Sequence, residues 1–278
     1  MMKELSNIGH YKIIEFPKVR IPTLDFLSLG AKKHYVKGLI EFDVTEGRKK
    51  IQEHEKNTGE KISFTAWFLK CVGQAASEYK EVHSMMMGKN KIIQFEDVDI
   101  SVSIERTIEG VKTPIPLIIR QTNKKTIKQI NEEIRRAQSE KISEATVLGN
   151  HSMKKNVKTY VALPKFIRTF LLKNKFRDPR KIKQLMGTII VTSVGMFGKL
   201  HGWPIPTTTH PLAFGIGAIT KKPGVIEEKI EIRDYLAVTV LINHDVVDGA
   251  PATRFISRLG ELLESGFGLL NLESFIFF

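Results

Sequence analysis

The stretch from Tyr235 to Leu263 constrains the fold more than any other part of this chain. Tyr235 to Ile242 is apolar and rich in β-branched residues, as suits a buried strand. A few residues later Ala252, Phe255, Ile256, Leu259, Leu262 and Leu263 recur at helical spacing and form one apolar stripe. A strand that gives way across a short turn to an amphipathic helix calls for a layer of sheet packed on a layer of helix.

The rest of the chain fits that plan. Leu39 to Val44 and Val98 to Ile104 read as strands, the second with Val98, Ile100, Val102 and Ile104 on one face. Phe64, Trp67, Phe68, Cys71, Val72 and Ala75 mark a helix that Ser63 is placed to cap. Asn123 precedes a second helix with Ile127, Ile130, Ile134 and Ala137 as its stripe. Gly187 to Val194 reads as a β-branched strand ending in a turn at Gly195-Met196-Phe197-Gly198, and Trp203-Pro204-Ile205-Pro206 as a surface loop. Leu212 to Ile219 is a further strand, separated from Tyr235–Ile242 by a turn at Pro223-Gly224 and a charged segment from Glu227 to Asp234. The expected class is α/β, a two-layer α+β sandwich of mixed sheet packed against helices, with residues 1–278 as a single domain.

The 278 residues suffice for a sizeable core, and 42% apolar with 26% charged residues is the balance of a globular chain. No run reaches about 18 apolar residues, so no conventional transmembrane helix is expected. Met1 to Lys12 lacks the apolar core of a secretory signal. The single cysteine, Cys71, excludes an internal disulfide and sits among apolar neighbours as a buried core residue. These features place the protein in the cytoplasm.

The formal net charge is +13, and it is concentrated. Between Ser152 and Lys183 stand eleven basic residues and one acidic residue, Asp178. Such a segment attracts phosphate and other polyanions. It lacks a helix-turn-helix, zinc-finger or RNP-type signature and is poor in aromatics, so nucleic acid is not the expected partner. A solvated surface segment, a contact to a phosphate-bearing cofactor and an acidic membrane surface all remain open for it.

Chemistry points to the turn Asn243-His244-Asp245-Val246-Val247-Asp248-Gly249. A histidine leaving a strand end is held rigidly while its ring faces a cavity. An acidic residue four positions on can fix the intervening loop, and the glycine after it permits a left-handed or crowded backbone where the helix starts. In a chain of this composition His-x-x-x-Asp-Gly arises by chance only about 0.02 times. The pattern by itself serves catalysis or a structural turn equally well. The other histidines (His10, His34, His54, His83, His151, His201, His210) show no metal-site spacing, and no metal is expected.

The strand–His-x-x-x-Asp-Gly-Ala–helix arrangement resembles the catalytic domain of the dihydrolipoyl acyltransferase components of 2-oxo acid dehydrogenase complexes, which is similar in turn to chloramphenicol acetyltransferase. Other stretches match in the same order: Asp99-Ile100-Ser101-Val102, Thr113-Pro114-Ile115-Pro116 with Ile119-Arg120, and Gly187-Thr188 through Gly195-Met196-Phe197-Gly198. The resemblance implies transfer of an acyl group between coenzyme A and a thiol acceptor of dihydrolipoyl type. His244 then stands where the family has its general base, and Thr192 where it has the serine hydroxyl that stabilises the oxyanion. Ser193, next along the strand, is a second candidate for that role. Asp248 orients the His244 loop, and Arg20 matches the upstream arginine that the family pairs with this position. Coenzyme A and acyl-coenzyme A enter as substrates, without a covalent acyl-enzyme or a metal. The resemblance also implies a homotrimer with its active sites between subunits, and a cage of trimers as an open question.

The sequence departs from the family in three places. No lipoyl domain precedes the expected fold, so a lipoyl group would be supplied in trans by another protein, and a non-catalytic trimeric scaffold is the alternative reading. The family's Asp-His-Arg is here Asn243-His244-Asp245. The basic 152–183 stretch is longer than the family's connection. The apolar tail, 265–278, is too short to span a bilayer and is expected to dock on a subunit.

Overall fold

The computed structural model describes residues 9–108, 111–139, 159–193 and 201–270. Its helices are α1 (Ile21–Gly30), α2 (Thr45–Thr58), α3 (Phe64–Glu78), α4 (Ile127–Ser139), α5 (Lys165–Lys175), α6 (Pro179–Met186) and α7 (Gly249–Glu264). Its strands are β1 (Tyr35–Asp43), β2 (Met85–Met87), β3 (Lys91–Ile93), β4 (Ile100–Ile108), β5 (Val111–Ile119), β6 (Ile189–Ser193), β7 (Leu212–Ile226) and β8 (Lys229–Asn243).

Six strands form one mixed sheet in the order β1-β8-β7-β6-β4-β5, and β2 pairs with β3 apart from it. β6 runs parallel to both β4 and β7, and the remaining ladders are antiparallel. Parallel pairing at the centre requires crossover connections, and helices α3, α4 and α7 pack together against the sheet. The architecture is the expected two-layer α/β sandwich.

Helix α3 is the centre of the helical layer. Ser63 caps it, its hydroxyl accepting the Ala66 N–H at 3.1 Å, as the sequence predicted. Trp67, Phe68, Leu69, Cys71 and Val72 are completely buried. Each large side chain among them gains about 1.5–3 kcal/mol by leaving water. Burial also pushes the Cys71 thiol well above its ordinary range, so it stays protonated. The indole N–H of Trp67 donates to the Phe267 carbonyl at 3.1 Å, and Leu269 is buried. Phe267 and Leu269 of the tail thus dock on the chain's own core, and 271–278 lie outside the described residues.

The stripes of α4 and α7 and the inward face of β4 fall where periodicity put them. The strand ends differ. β1 starts four residues before the expected Leu39, because its whole length finds β8 as partner, from Tyr35↔Asn243 to Asp43↔Tyr235. The expected turn at Pro223-Gly224 is wrong: both residues lie within β7, opposite Ile232 and Glu231. The chain reverses instead at Glu227-Glu228, both left-handed with φ of 46° and 65°. β6 ends opposite Ile216, so Pro223 sits where β7 has β8 as its one neighbour and a missing donor costs little. The expected turn at 195–198 lies outside the described residues.

The three motif stretches meet structurally. The Asp99 carboxylate takes hydrogen bonds from Arg120 at 3.0 Å and from the Gln121 amide at 2.9 Å, and pairs with Lys183 at 3.0 Å. Gly187 takes φ of 75° beside it, where a Cβ would lie 2.6 Å from the Asp99 carbonyl. Asp99, Arg120 and Gly187 therefore lock β4, β5 and β6 in register.

The basic segment is partly within the described residues, as α5 and α6. It is anchored through Asp25 of α1, which accepts from Arg168 at 2.8 Å and from Tyr160 at 3.0 Å.

Candidate active site at the end of the last strand

β8 delivers the histidine. Its last residue, Asn243, is buried, and its carbonyl accepts the Val246 and Val247 amides at 3.3 Å each. The Asn243 side-chain oxygen accepts the Asp245 amide at 3.3 Å. The His244 amide donates to the His34 carbonyl at 2.7 Å. The backbone of the turn is thereby fixed from the side of β8 and from the residue just before β1, while the His244 side chain stands exposed.

A second contact closes over the same turn. His34 Nδ1 and Asp245 Oδ1 lie 2.7 Å apart. With 81% and 38% of the two side chains exposed, this pair is worth no more than about 1 kcal/mol. In the sequence His34 is one of seven histidines without metal-site spacing. The available signal was the aspartate at 245 where the family carries an arginine, since a carboxylate beside a candidate base calls for a partner.

Asp248 occupies the N-cap position of α7, exposed and without a side-chain cap bond. Gly249 shows neither feature expected of it. Its φ is not positive, and a Cβ there would meet nothing within 4 Å. In the single chain nothing therefore demands a glycine at this point. Arg20 ends a short 3-10 helix, Lys18–Arg20, that runs into α1. It is exposed, and among the described residues no hydrogen bond or ion pair joins it to Asp248.

Thr192 lies on β6, on the face opposite Ile189 and Val191, which point into the core. It is half-buried, and its hydroxyl donates to the Phe214 carbonyl at 3.3 Å. Ser193 is half-buried on the alternate face. Next to Thr192, Gly215 of β7 receives residues 202–206 on the sheet's outer face. A Cβ at Gly215 would sit 2.3 Å from the Pro204 carbonyl, so only glycine allows this approach.

The ladder sets the separation of the two candidates. Thr192 is level with Gly215, and Gly215 with Thr239, five residues before His244. Five residues of strand and two strand spacings put their Cα atoms roughly 19 Å apart. Within one chain the structure does not bring them together.

Two other histidines are buried near the strand ends. His210 Nε2 donates to the Met186 carbonyl at 3.0 Å, which leaves Nδ1, 3.0 Å from the Thr208 hydroxyl, as an acceptor. Burial holds its pKa down at about 4. His83 contacts the Thr188 hydroxyl at 3.1 Å, and burial likewise holds its pKa at about 4. Both are neutral core residues. No helix among the described residues is long and apolar enough to cross a membrane, and no cluster of three metal-ligating side chains occurs among them.

The mixed sheet packed against helices is the fold of dihydrolipoamide acyltransferase cores. The Azotobacter vinelandii dihydrolipoamide acetyltransferase superposes with a TM-score of 0.67 at 16% identity, covering 97% of this chain and 98% of that one. The cubic core of a pyruvate dehydrogenase multienzyme complex gives 0.66 at 17% identity, with coverage of 97% and 98%. In sequence, the family described as 2-oxoacid dehydrogenases acyltransferase (catalytic domain) matches residues 37–154 and 173–270. The chain belongs to that family. Among curated relatives, the lipoamide acyltransferase component of the Bacillus subtilis branched-chain alpha-keto acid dehydrogenase complex is 29% identical, over 82% of this chain and 46% of that protein. A Buchnera aphidicola dihydrolipoyllysine-residue succinyltransferase is 25% identical, over 78% of this chain and 46% of that protein. The chain thus spans about half the length of these relatives.

Proposed function

We propose that this protein transfers an acyl group between coenzyme A and a thiol acceptor of dihydrolipoyl type, with the lipoyl group supplied in trans. The observation that carries the reading is the His244 turn: in a member of an acyltransferase family, a histidine is presented to solvent on a backbone fixed by Asn243 and His34. The Azotobacter structure was determined to study a serine, a histidine and an asparagine in catalysis, the last two four positions apart. His244 and Asp248 have the same spacing, and Thr192 takes the place of the serine.

The acceptor thiol gives its proton to the neutral His244 imidazole as its sulfur attacks the thioester carbonyl. The carbonyl oxygen becomes an oxyanion. The Thr192 hydroxyl turns from the Phe214 carbonyl to donate to it, an interaction worth about 3–4 kcal/mol in comparable sites. The intermediate then collapses, the bond from carbon to the coenzyme A sulfur breaks, and the imidazolium returns its proton to that sulfur. Because Thr192 and His244 of one chain are far apart, each site takes its histidine from one chain and its threonine from a neighbour, in a homotrimer. In this reading residues 1–278 act as one catalytic unit, with 265–278 as its docking segment.

The test is incubation with a panel of acyl-coenzyme A thioesters and dihydrolipoamide, followed by mass spectrometry. Acyl-dihydrolipoamide is expected from the native protein and not from His244→Ala. Equal product from both would overturn the assignment of the base. Absence of product with every thioester would favour the scaffold reading.

A further inference from the structure

The start of β1 borders a cleft of about 370 Å³ whose lining includes neither His244 nor Thr192. Its lining includes Lys33, Tyr35, Lys37, Thr207, Thr208 and Leu241, and contains no aspartate or glutamate. Part of this lining is committed to holding the wall together. The Tyr35 hydroxyl lies 3.1 Å from the Thr208 carbonyl and 2.8 Å from the His210 carbonyl, and the Thr208 hydroxyl is taken by His210. The two lysines are differently placed.

Lys33 is half-buried, and its ammonium makes one hydrogen bond, to the Thr209 carbonyl at 2.7 Å. Burial pushes its pKa below the ordinary lysine range, against the opposing pull of the Asp245 charge. Asp245 itself is bound to His34 and makes no ion pair with Lys33. A partly desolvated ammonium whose one partner is a neutral carbonyl gains strongly from an arriving anion. Lys37 is exposed on the same wall, with no hydrogen bond or ion pair among the described residues. A cleft of this volume is at the small end of ligand sites. It accommodates a compact charged group and not a whole nucleotide thioester.

We propose that this cleft binds an oxyanion, a phosphate or a carboxylate, through Lys33 and Lys37. Binding stands on the cleft alone, whereas its use rests on the acyl-transfer reading. There the cleft receives the charged end of a substrate, either the carboxylate of a dicarboxylic acyl group or a phosphate. Lys33 immediately precedes His34, whose carbonyl holds the His244 amide, so the anion's ligand is the residue next to the one that supports the candidate base.

Equilibrium dialysis with radiolabelled inorganic phosphate and, separately, with succinate tests the site on the full chain. Saturable binding of at least one anion is expected, weakened about tenfold or more in Lys33→Met and in Lys37→Met, since each loses a charge-assisted contact. Lys37 is exposed, so its variant keeps the native melting temperature and remains informative even if Lys33→Met folds poorly. Saturation by phosphate alone, or by succinate alone, supports the site and names the source of the anion. Non-saturable binding of both anions overturns the proposal, and so does saturable binding that neither variant weakens. Anion binding without acyl transfer refutes the proposed function and leaves the cleft standing. Acyl transfer without anion binding does the reverse.

Discussion

Refolding His244→Ala and Thr192→Ala together, as an equal mixture of chains, is expected to restore about a quarter of the wild-type acyl-transfer rate. Each variant alone loses a group that acts at every site: roughly 10²–10³-fold for the oxyanion donor and 10²–10⁴-fold for the base. The separation of roughly 19 Å along the β6-β7-β8 ladder is several times the reach of a hydrogen bond. No single chain therefore assembles both groups. In a mixed ring, a site is complete when an intact His244 from one chain meets an intact Thr192 from the next. Each condition is met half the time, which gives about 25% against a background below about 1%. The companion arm mixes wild type with the double variant. A shared site again gives about 25%, whereas a site within one chain gives about 50%. Product is followed as acyl-dihydrolipoamide by mass spectrometry, after confirming that both mixtures exchange chains. A first mixture that stays at the mean of its parents, with a second at half the wild-type rate, refutes the split site.

Other outcomes follow from packing and charge. Gly215→Ala places a methyl 2.3 Å from the Pro204 carbonyl and is expected to lower stability by about 1–3 kcal/mol, seen as a reduced urea midpoint with unchanged m. Ser63→Ala removes the cap on α3 and should cost about 1 kcal/mol in the same titration. Replacing Glu227-Glu228 by Asn-Gly relieves two left-handed glutamates and should raise stability by about 1 kcal/mol, measured by thermal melting. Burial alone would raise the Asp43 carboxyl, but hydrogen bonds from Thr45 and Arg233 hold it below the ordinary range. Its contribution to stability is therefore complete above about pH 4 and is lost as pH falls through the lower folded value. Asp43→Asn should flatten that acid limb in urea midpoints taken from pH 2 to 7.

The parts of the fold that local chemistry determines were legible. The Ser63 cap, the α3 and α7 stripes and the inward face of β4 each follow from periodicity plus one side-chain bond. The strand boundaries were not, because they depend on partners distant in sequence. Nothing near Tyr35 announces that β8 will pair with it, and Pro223-Gly224 carries turn residues that the ladder overrides. At the candidate site, His244 and Thr192 are singled out by their neighbours in the motifs. Asn243 was noticed, but its function of receiving three amides of the turn was visible only in three dimensions. The His34–Asp245 contact joins residues far apart in the chain, so spacing rules had no means of finding it.

The ladder between β1 and β8 has a consequence for how the protein is made. Tyr35 pairs with Asn243, and Asp43 with Tyr235, so β1 leaves the ribosome about 200 residues before the strand it pairs with. At ordinary synthesis rates of about 5–20 residues per second that interval is roughly 10–40 s. For all of it, β1 has no mate, and Val36 and Leu39 remain exposed even in the finished chain. Newborn chains on neighbouring ribosomes thus offer one another the same unmatched edge. Shielding that edge until residue 243 emerges is therefore part of the folding problem this topology sets.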